Sequence, residues 1–146
     1  MAETRRAGSR FPDPKERCPA ILVVEDEVLI RLVIADYLRE CGFKVYEAGT
    51  ALEAIAVLES NKASIDLVFS DIRLPGETNG FALAQWVRMN RPGVPVVLTS
   101  GDSKKSEAAK ELCENEPFFA KPYDVQLVVA HIRTLIDAKR PKGEDD

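Results

Sequence analysis

Three consecutive acids, Glu25-Asp26-Glu27, close an aliphatic run at residues 20–24. Another acid, Asp71, follows Leu67 to Phe69; Thr99-Ser100-Gly101 follows Val96 to Leu98, and Lys121-Pro122 follows Phe118 to Ala120. Carboxylates, a hydroxyl and an amine are the groups needed to hold a hard cation and receive a phosphoryl group. Glu25, Asp26 and Asp71 repel one another when brought together unless a cation offsets them. Mg²⁺ suits such a set, because it takes one or two direct carboxylates, keeps several waters and bridges to phosphate oxygens. Mn²⁺ favours the same oxygen ligands. Once aligned, Asp71 can attack a phosphoryl donor and form an acyl phosphate. Such transfer depends mainly on positioning and on neutralising charge spread over the phosphoryl oxygens. The cation and Lys121 would neutralise it, and the Ser100 hydroxyl would donate to one oxygen.

Each signature alone has a plainer reading. An acid after a strand also caps a helix, an acidic first turn also answers the helix dipole, and Lys121-Pro122 alone is a turn. Their succession at the ends of successive apolar runs carries the argument.

Those runs are short and alternate with amphipathic segments, the pattern of βαβ units and a parallel sheet. Strands are expected at 20–24, 43–47, 66–70, 94–99 and 117–120, and helices at 28–40, 51–60, 79–90, 103–114 and 124–138. Thr50 with Glu53 forms a capping box for the second helix, and Gly42 stops the first. Val125, Val128, Val129, Ile132, Leu135 and Ile136 trace the sheet-facing side of the last helix. The first helix carries two apolar ridges, Leu29-Val33-Tyr37 and Ile30-Ile34-Leu38. Two readings are open: a wide buried face, or one ridge left exposed beside the acids where a partner helix docks. In open α/β sheets the carboxyl-end rim is where ligands bind, so the signatures gather where chemistry is expected.

A chain of 146 residues, 45% hydrophobic and 30% charged, suits a single globular domain. The expected division is a flexible arm at 1–19, one folded unit at 20–138 and a flexible acidic tail at 139–146. No apolar stretch approaches the roughly 20 residues needed to cross a bilayer, and no apolar segment comes after Arg5, Arg6 and Arg10 as in a secretory signal. The expected location is the cytoplasm, away from any membrane. A net charge of -4 argues against a nucleic-acid partner. Cys18, Cys41 and Cys113 have neither disulfide nor zinc spacing, and His131 reads as a solvated helix residue.

From Ala20 to Ala138 the chain strongly resembles the receiver domain of two-component response regulators. The resemblance lies in Ile21-Leu22-Val23-Val24-Glu25-Asp26-Glu27, Asp71-Ile72-Arg73-Leu74-Pro75-Gly76, Asn79-Gly80, Pro95 to Gly101 and Phe119-Ala120-Lys121-Pro122-Tyr123. It implies a (βα)5 flavodoxin-like fold, with a five-stranded parallel sheet of order 2-1-3-4-5. It also implies Asp71 as phosphoacceptor, Asp26 and Asp71 as direct metal ligands, Glu25 acting through water, and the Arg73 carbonyl as a further ligand. Lys121 matches the lysine that contacts the phosphoryl group, and Pro122 the proline after it, usually cis. Ser100 matches the switch hydroxyl, with Thr99 as fallback, and Phe118 the aromatic switch position, here without a tyrosine hydroxyl. The Pro75–Gly80 loop is one residue longer than the family's usual length, and the stretch from Ser100 to Lys121 one shorter.

The resemblance implies a stand-alone receiver that takes its phosphoryl group from a histidine kinase or histidine phosphotransfer protein. Such a receiver signals by changing the surface formed by segment 103–114, the fifth strand and the last helix. The expected protein is a signalling phosphoprotein rather than a conventional enzyme. With no output module expected, the signal passes to an unnamed downstream protein, back along a relay, or through dimerisation of a monomer on phosphorylation. Three rivals stand beside it. A haloacid-dehalogenase-type phosphatase resembles that family only with a second Asp where Arg73 stands. A flavodoxin-like cofactor binder needs a phosphate loop where Glu25-Asp26-Glu27 stands. A degenerate receiver would serve only as an interaction platform.

Overall fold

An aliphatic run without polar alternation must be covered on both faces, and every residue of β1 (Ala20–Val24) is buried. The computed structural model describes residues 18–60, 63–100, 118–121 and 124–138, with 118–120 described by backbone alone. The expected helix at 103–114, residues 1–17 of the arm expected at 1–19, the tail at 139–146, Cys113, Gly101 and Pro122 lie outside the described residues.

After β1 come α1 (Val28–Glu40), β2 (Lys44–Ala48), α2 (Ala51–Glu59), β3 (Leu67–Asp71), α3 (Gly80–Asn90), β4 (Val96–Ser100), β5 (Phe118–Ala120) and α4 (Val125–Ala138). The five strands form one parallel sheet of order β2-β1-β3-β4-β5, as the resemblance implies. Period-two alternation sends Leu22 and Val24 to one face, against Ala54 and Leu58 of α2 and Leu83 and Val87 of α3. Ile21 and Val23 go to the other, against Ile34 and Leu38 of α1 and Val128 and Ile132 of α4. The strand order reverses between β1 and β3, opening a crevice at their carboxyl ends.

Local signals account for the helix ends. Thr50 accepts the Glu53 N–H at 3.0 Å, the expected half of the box, while Glu53 reaches one residue before the cap and accepts the Gly49 N–H at 2.7 Å. Gly42 follows α1 with φ 98°, a conformation that suits glycine. Asn79 caps α3 by accepting the Ala82 N–H at 2.9 Å, so that helix opens at Gly80 rather than at 79.

Several expectations are corrected. β3 and β4 run to Asp71 and Ser100, because Asp71 pairs with Thr99 and Ser100 with Ala120 in the ladder. β4 starts at Val96 rather than 94, after Pro95, which has no N–H to give the sheet. The two ridges of α1 separate: Ile34 and Leu38 are buried, whereas Leu29 is 78% and Val33 68% exposed. The wide buried face is therefore wrong for this helix: the strip is exposed at Leu29 and Val33, while Tyr37 packs in part against the core. His131 is half-buried rather than solvated, and among the described cysteines Cys18 is exposed and Cys41 half-buried, both free.

Candidate functional site

The acids arrive at one rim through the ladder. Glu25 follows β1 and extends its pairing with β2, its N–H donating to the Ala48 carbonyl at 3.0 Å. Asp71 is the last residue of β3, in register with Thr99, and the Ile72 N–H donates to the Thr99 carbonyl at 2.9 Å. Lys121 follows β5 and donates its N–H to the Ser100 carbonyl at 2.8 Å. Three strand ends thus present Glu25, Asp71 and Lys121 at one rim.

Lys121 Nζ lies 3.1 Å from Glu25 Oε1 and 3.3 Å from Asp71 Oδ2. The Arg73 N–H donates to Asp71 Oδ1 at 3.2 Å, and the Glu27 N–H to Glu25 Oε2 at 3.2 Å. Glu25 is only 3% exposed and Asp71 is also buried, while Asp26 faces solvent. One carboxylate oxygen from each of the three lies within 4.8 Å of the others. The set therefore fits a single hydrated hard cation, with water completing its coordination.

Burial pushes the Glu25 carboxyl above its ordinary value, and the Asp71 charge adds to this; the Glu27 N–H and Lys121 offset them in part. Burial draws the Lys121 ammonium down, but the Asp71 charge and then the hydrogen bond and charge of Glu25 outweigh it, so the net shift is upward. The lysine is held charged beside two acids. A group bearing negative oxygens would meet that ammonium next to the Asp71 carboxylate.

Thr99 and Ser100 are both buried at the end of β4. Phe118 opens β5 opposite Leu98. The structure thus brings Glu25, Asp26, Asp71 and Lys121 together, with the backbone of Arg73 bound to Asp71. The role of Gly80 and the contribution of Arg31 escaped sequence reasoning. Gly80 lets the start of α3 lie on the strand end: a Cβ there would stand 2.6 Å from Ile72 Cα and would also strike the Asp71 carbonyl oxygen. Asn79-Gly80 was visible as a motif, but the reason for the glycine was not. Arg31 donates to the Glu25 carbonyl at 2.9 Å. Its one signal was being the lone charge in the otherwise apolar opening turns of α1.

A family model described as the response regulator receiver domain matches residues 21–133. The chain belongs to that family. This receiver is 33% identical over 122 residues to the transcriptional regulatory protein AruR of Pseudomonas aeruginosa, covering 81% of the chain and 49% of AruR. It is 31% identical over 135 residues to the two-component response regulator ARR2 of Arabidopsis thaliana, covering 92% of the chain and 20% of ARR2. The receiver spans half or less of the length of the curated relatives it matches. Among solved structures, a response regulator receiver protein from Sinorhizobium medicae superposes with a TM-score of 0.75 at 27% identity, covering 85% of this chain and 98% of that one. The receiver domain of the hybrid histidine kinase CckA gives a TM-score of 0.66 at 32% identity, covering 80% and 98%. Two-component signalling is the family's general role. No helix among the described residues is long and apolar enough to cross a membrane.

Proposed function

We propose that this receiver, the unit at 20–138, accepts a phosphoryl group onto Asp71 from a phosphohistidine on a histidine kinase or histidine phosphotransfer protein. The observation that carries the reading is the convergence of Asp71 and Glu25 on one ammonium, with Asp26 beside them. In the step, an Asp71 carboxylate oxygen forms a bond to phosphorus as the phosphorus–nitrogen bond breaks, and the imidazole nitrogen keeps the electron pair and takes up a proton. Glu25, Asp26, Asp71 and the Arg73 carbonyl would hold Mg²⁺, which supplies charge neutralisation to the phosphoryl oxygens when bound. Lys121 meets the remaining oxygen charge. Ser100, with Thr99 as the alternative, donates its hydroxyl to the new phosphoryl group and biases the protein towards a second state in which the surface around Phe118 and α4 changes.

The donor is expected to approach over the exposed ridge of α1. That helix begins at Val28, directly after the acids, and leaves Val28, Leu29, Leu32 and Val33 in solvent. Labelled kinases, incubated in turn with the wild type and Asp71→Asn, test the assignment. Transfer to the wild type, its loss in the variant and its loss in excess chelator are the expected results. Undiminished labelling of Asp71→Asn refutes the acceptor, and undiminished transfer without divalent metal refutes the cation.

A further inference from the structure

Glu25 is gripped by both of its backbone polar groups. Its N–H is held by Ala48 of β2, and its carbonyl oxygen accepts from Arg31 Nη1 at 2.9 Å. That carbonyl belongs to the peptide unit joining Glu25 to Asp26. Because a peptide unit is planar, fixing its oxygen fixes the orientation of the plane that joins the two successive Cα atoms, the points from which both acidic side chains start.

Arg31 is itself held in place. Its Nε donates to Glu47 Oε1 at 3.2 Å, and the other Glu47 oxygen takes Arg39 Nη2 at 3.0 Å. The Arg31 and Glu47 side chains are only 19% and 23% exposed, so the pair is partly shielded from water. The guanidinium passes over Gly49, where a Cβ would stand 3.0 Å from Arg31 Nη1. Gly49 therefore leaves room for this path. A guanidinium can serve an acid and a carbonyl at once from a rigid fork, which a lysine cannot reproduce.

We propose that Arg31, steered by Glu47 and admitted by Gly49, is a positioning residue that sets the Glu25–Asp26 peptide for cation binding. The proposal rests on the acidic group being a Mg²⁺ site. Arg31 does not touch the ion. It acts on the pocket as outer-shell partners act on metal ligands, whose removal typically weakens binding by about 10- to 100-fold.

The test is calorimetric titration of Mg²⁺ into the full chain, with a melting curve for each protein. Arg31→Met keeps the aliphatic stem and removes the fork; about tenfold weaker binding is expected, with Arg31→Lys recovering only part of the loss. Gly49→Ala leaves the arginine in the chain but sets a methyl 3.0 Å from Arg31 Nη1, so the guanidinium must give way from its hold on the Glu25 carbonyl. It is expected to weaken binding severalfold, and adding it to Arg31→Met should cause no further loss. Arg133→Met is the control. Arg133 also supports a carbonyl, that of Cys41 at 2.6 Å, and lies 4.8 Å from the Phe43 ring centroid, away from the acids. Its loss should lower the melting temperature and leave Mg²⁺ affinity within twofold. Folded Arg31→Met binding Mg²⁺ like the wild type overturns the proposal, as does equal weakening in Arg133→Met. If Arg31→Met does not fold, wild-type affinity in both Arg31→Lys and Gly49→Ala overturns it. A wild type that binds no Mg²⁺ removes the pocket reading and this inference together, a result separable from variants that match a binding wild type.

Discussion

Lys121 spans two acids that would otherwise face each other across the crevice, and one ammonium serves both. It also stands where a divalent cation meets an unwelcome like charge. Lys121→Ala is therefore expected to bind Mg²⁺ more tightly, on the order of tenfold given like charges a few ångströms apart in a partly shielded site. The same variant should accept label on Asp71 but fail to change partner affinity when labelled, because the ammonium no longer draws the phosphoryl group to one geometry. Titration of Mg²⁺ and partner binding by the labelled variant check the two effects. Weaker Mg²⁺ binding, or wild-type partner affinity, sinks the corresponding part. Glu25, Asp26, Asp71 and Lys121 were readable from the sequence because a charged side chain at a strand end is conspicuous against an apolar run. Arg31 was not, since its target is a main-chain carbonyl and every residue carries one. That Lys121 reaches Glu25 as well as Asp71 was equally hidden, because the contact joins residues 96 positions apart.

Among the described elements, existence and type were legible, and the edges of β1 and α1 with them, whereas the edges of β3, β4 and α3 were not. Alternating short aliphatic runs and amphipathic segments have one economical solution, a parallel sheet covered on both faces. Strand ends depend instead on the neighbour's ladder: Asp71 counts as strand because Thr99 lies in register beside it. The orientation of α1 was undecidable for a similar reason, since both ridges are apolar and only docking on the sheet selects Ile34 and Leu38. The start of α3 is a tightly constrained junction near the site. Gly80 donates its N–H to the Ile72 carbonyl at 2.7 Å and leaves no room for a Cβ against the backbone of Asp71 and Ile72. Both obstacles are main chain, so relief requires the helix or the strand end to move. Gly80→Ala is expected to cost about 1–3 kcal/mol despite its better helix propensity, as overpacking does. It should also slow phosphotransfer by shifting Asp71. Urea unfolding and a transfer time course measure both. An unchanged midpoint with an unchanged rate would show that the junction has slack.

For the molecule as a whole, the sheet order places chemistry and recognition side by side. The reversal between β1 and β3 opens the crevice that holds the acids, and the chain leaving β1 turns at once into α1. The exposed ridge of that helix is thus joined to β1 by the acids themselves, Glu25 to Glu27. Leu29 and Val33 are the most exposed residues of the ridge and lie one turn apart on the same side of the helix. Scattered surface leucines need no explanation, but four apolar residues beside a reactive rim form a patch with a use. If a helical phosphodonor seats there, changing the patch must reduce transfer without disturbing the fold. The double variant Leu29→Gln, Val33→Gln keeps good helix formers at exposed sites, so its stability should stay within about 0.5 kcal/mol of the wild type. Loss of two central apolar contacts should cost more than about 1 kcal/mol of binding, hence roughly tenfold in kcat/KM for transfer from the cognate kinase. The Mg²⁺ affinity of the variant should match the wild type, because neither side chain belongs to the acidic group. A lowered kcat/KM with intact folding and metal binding assigns the ridge to the donor, whereas an unchanged kcat/KM moves the docking surface elsewhere on the rim.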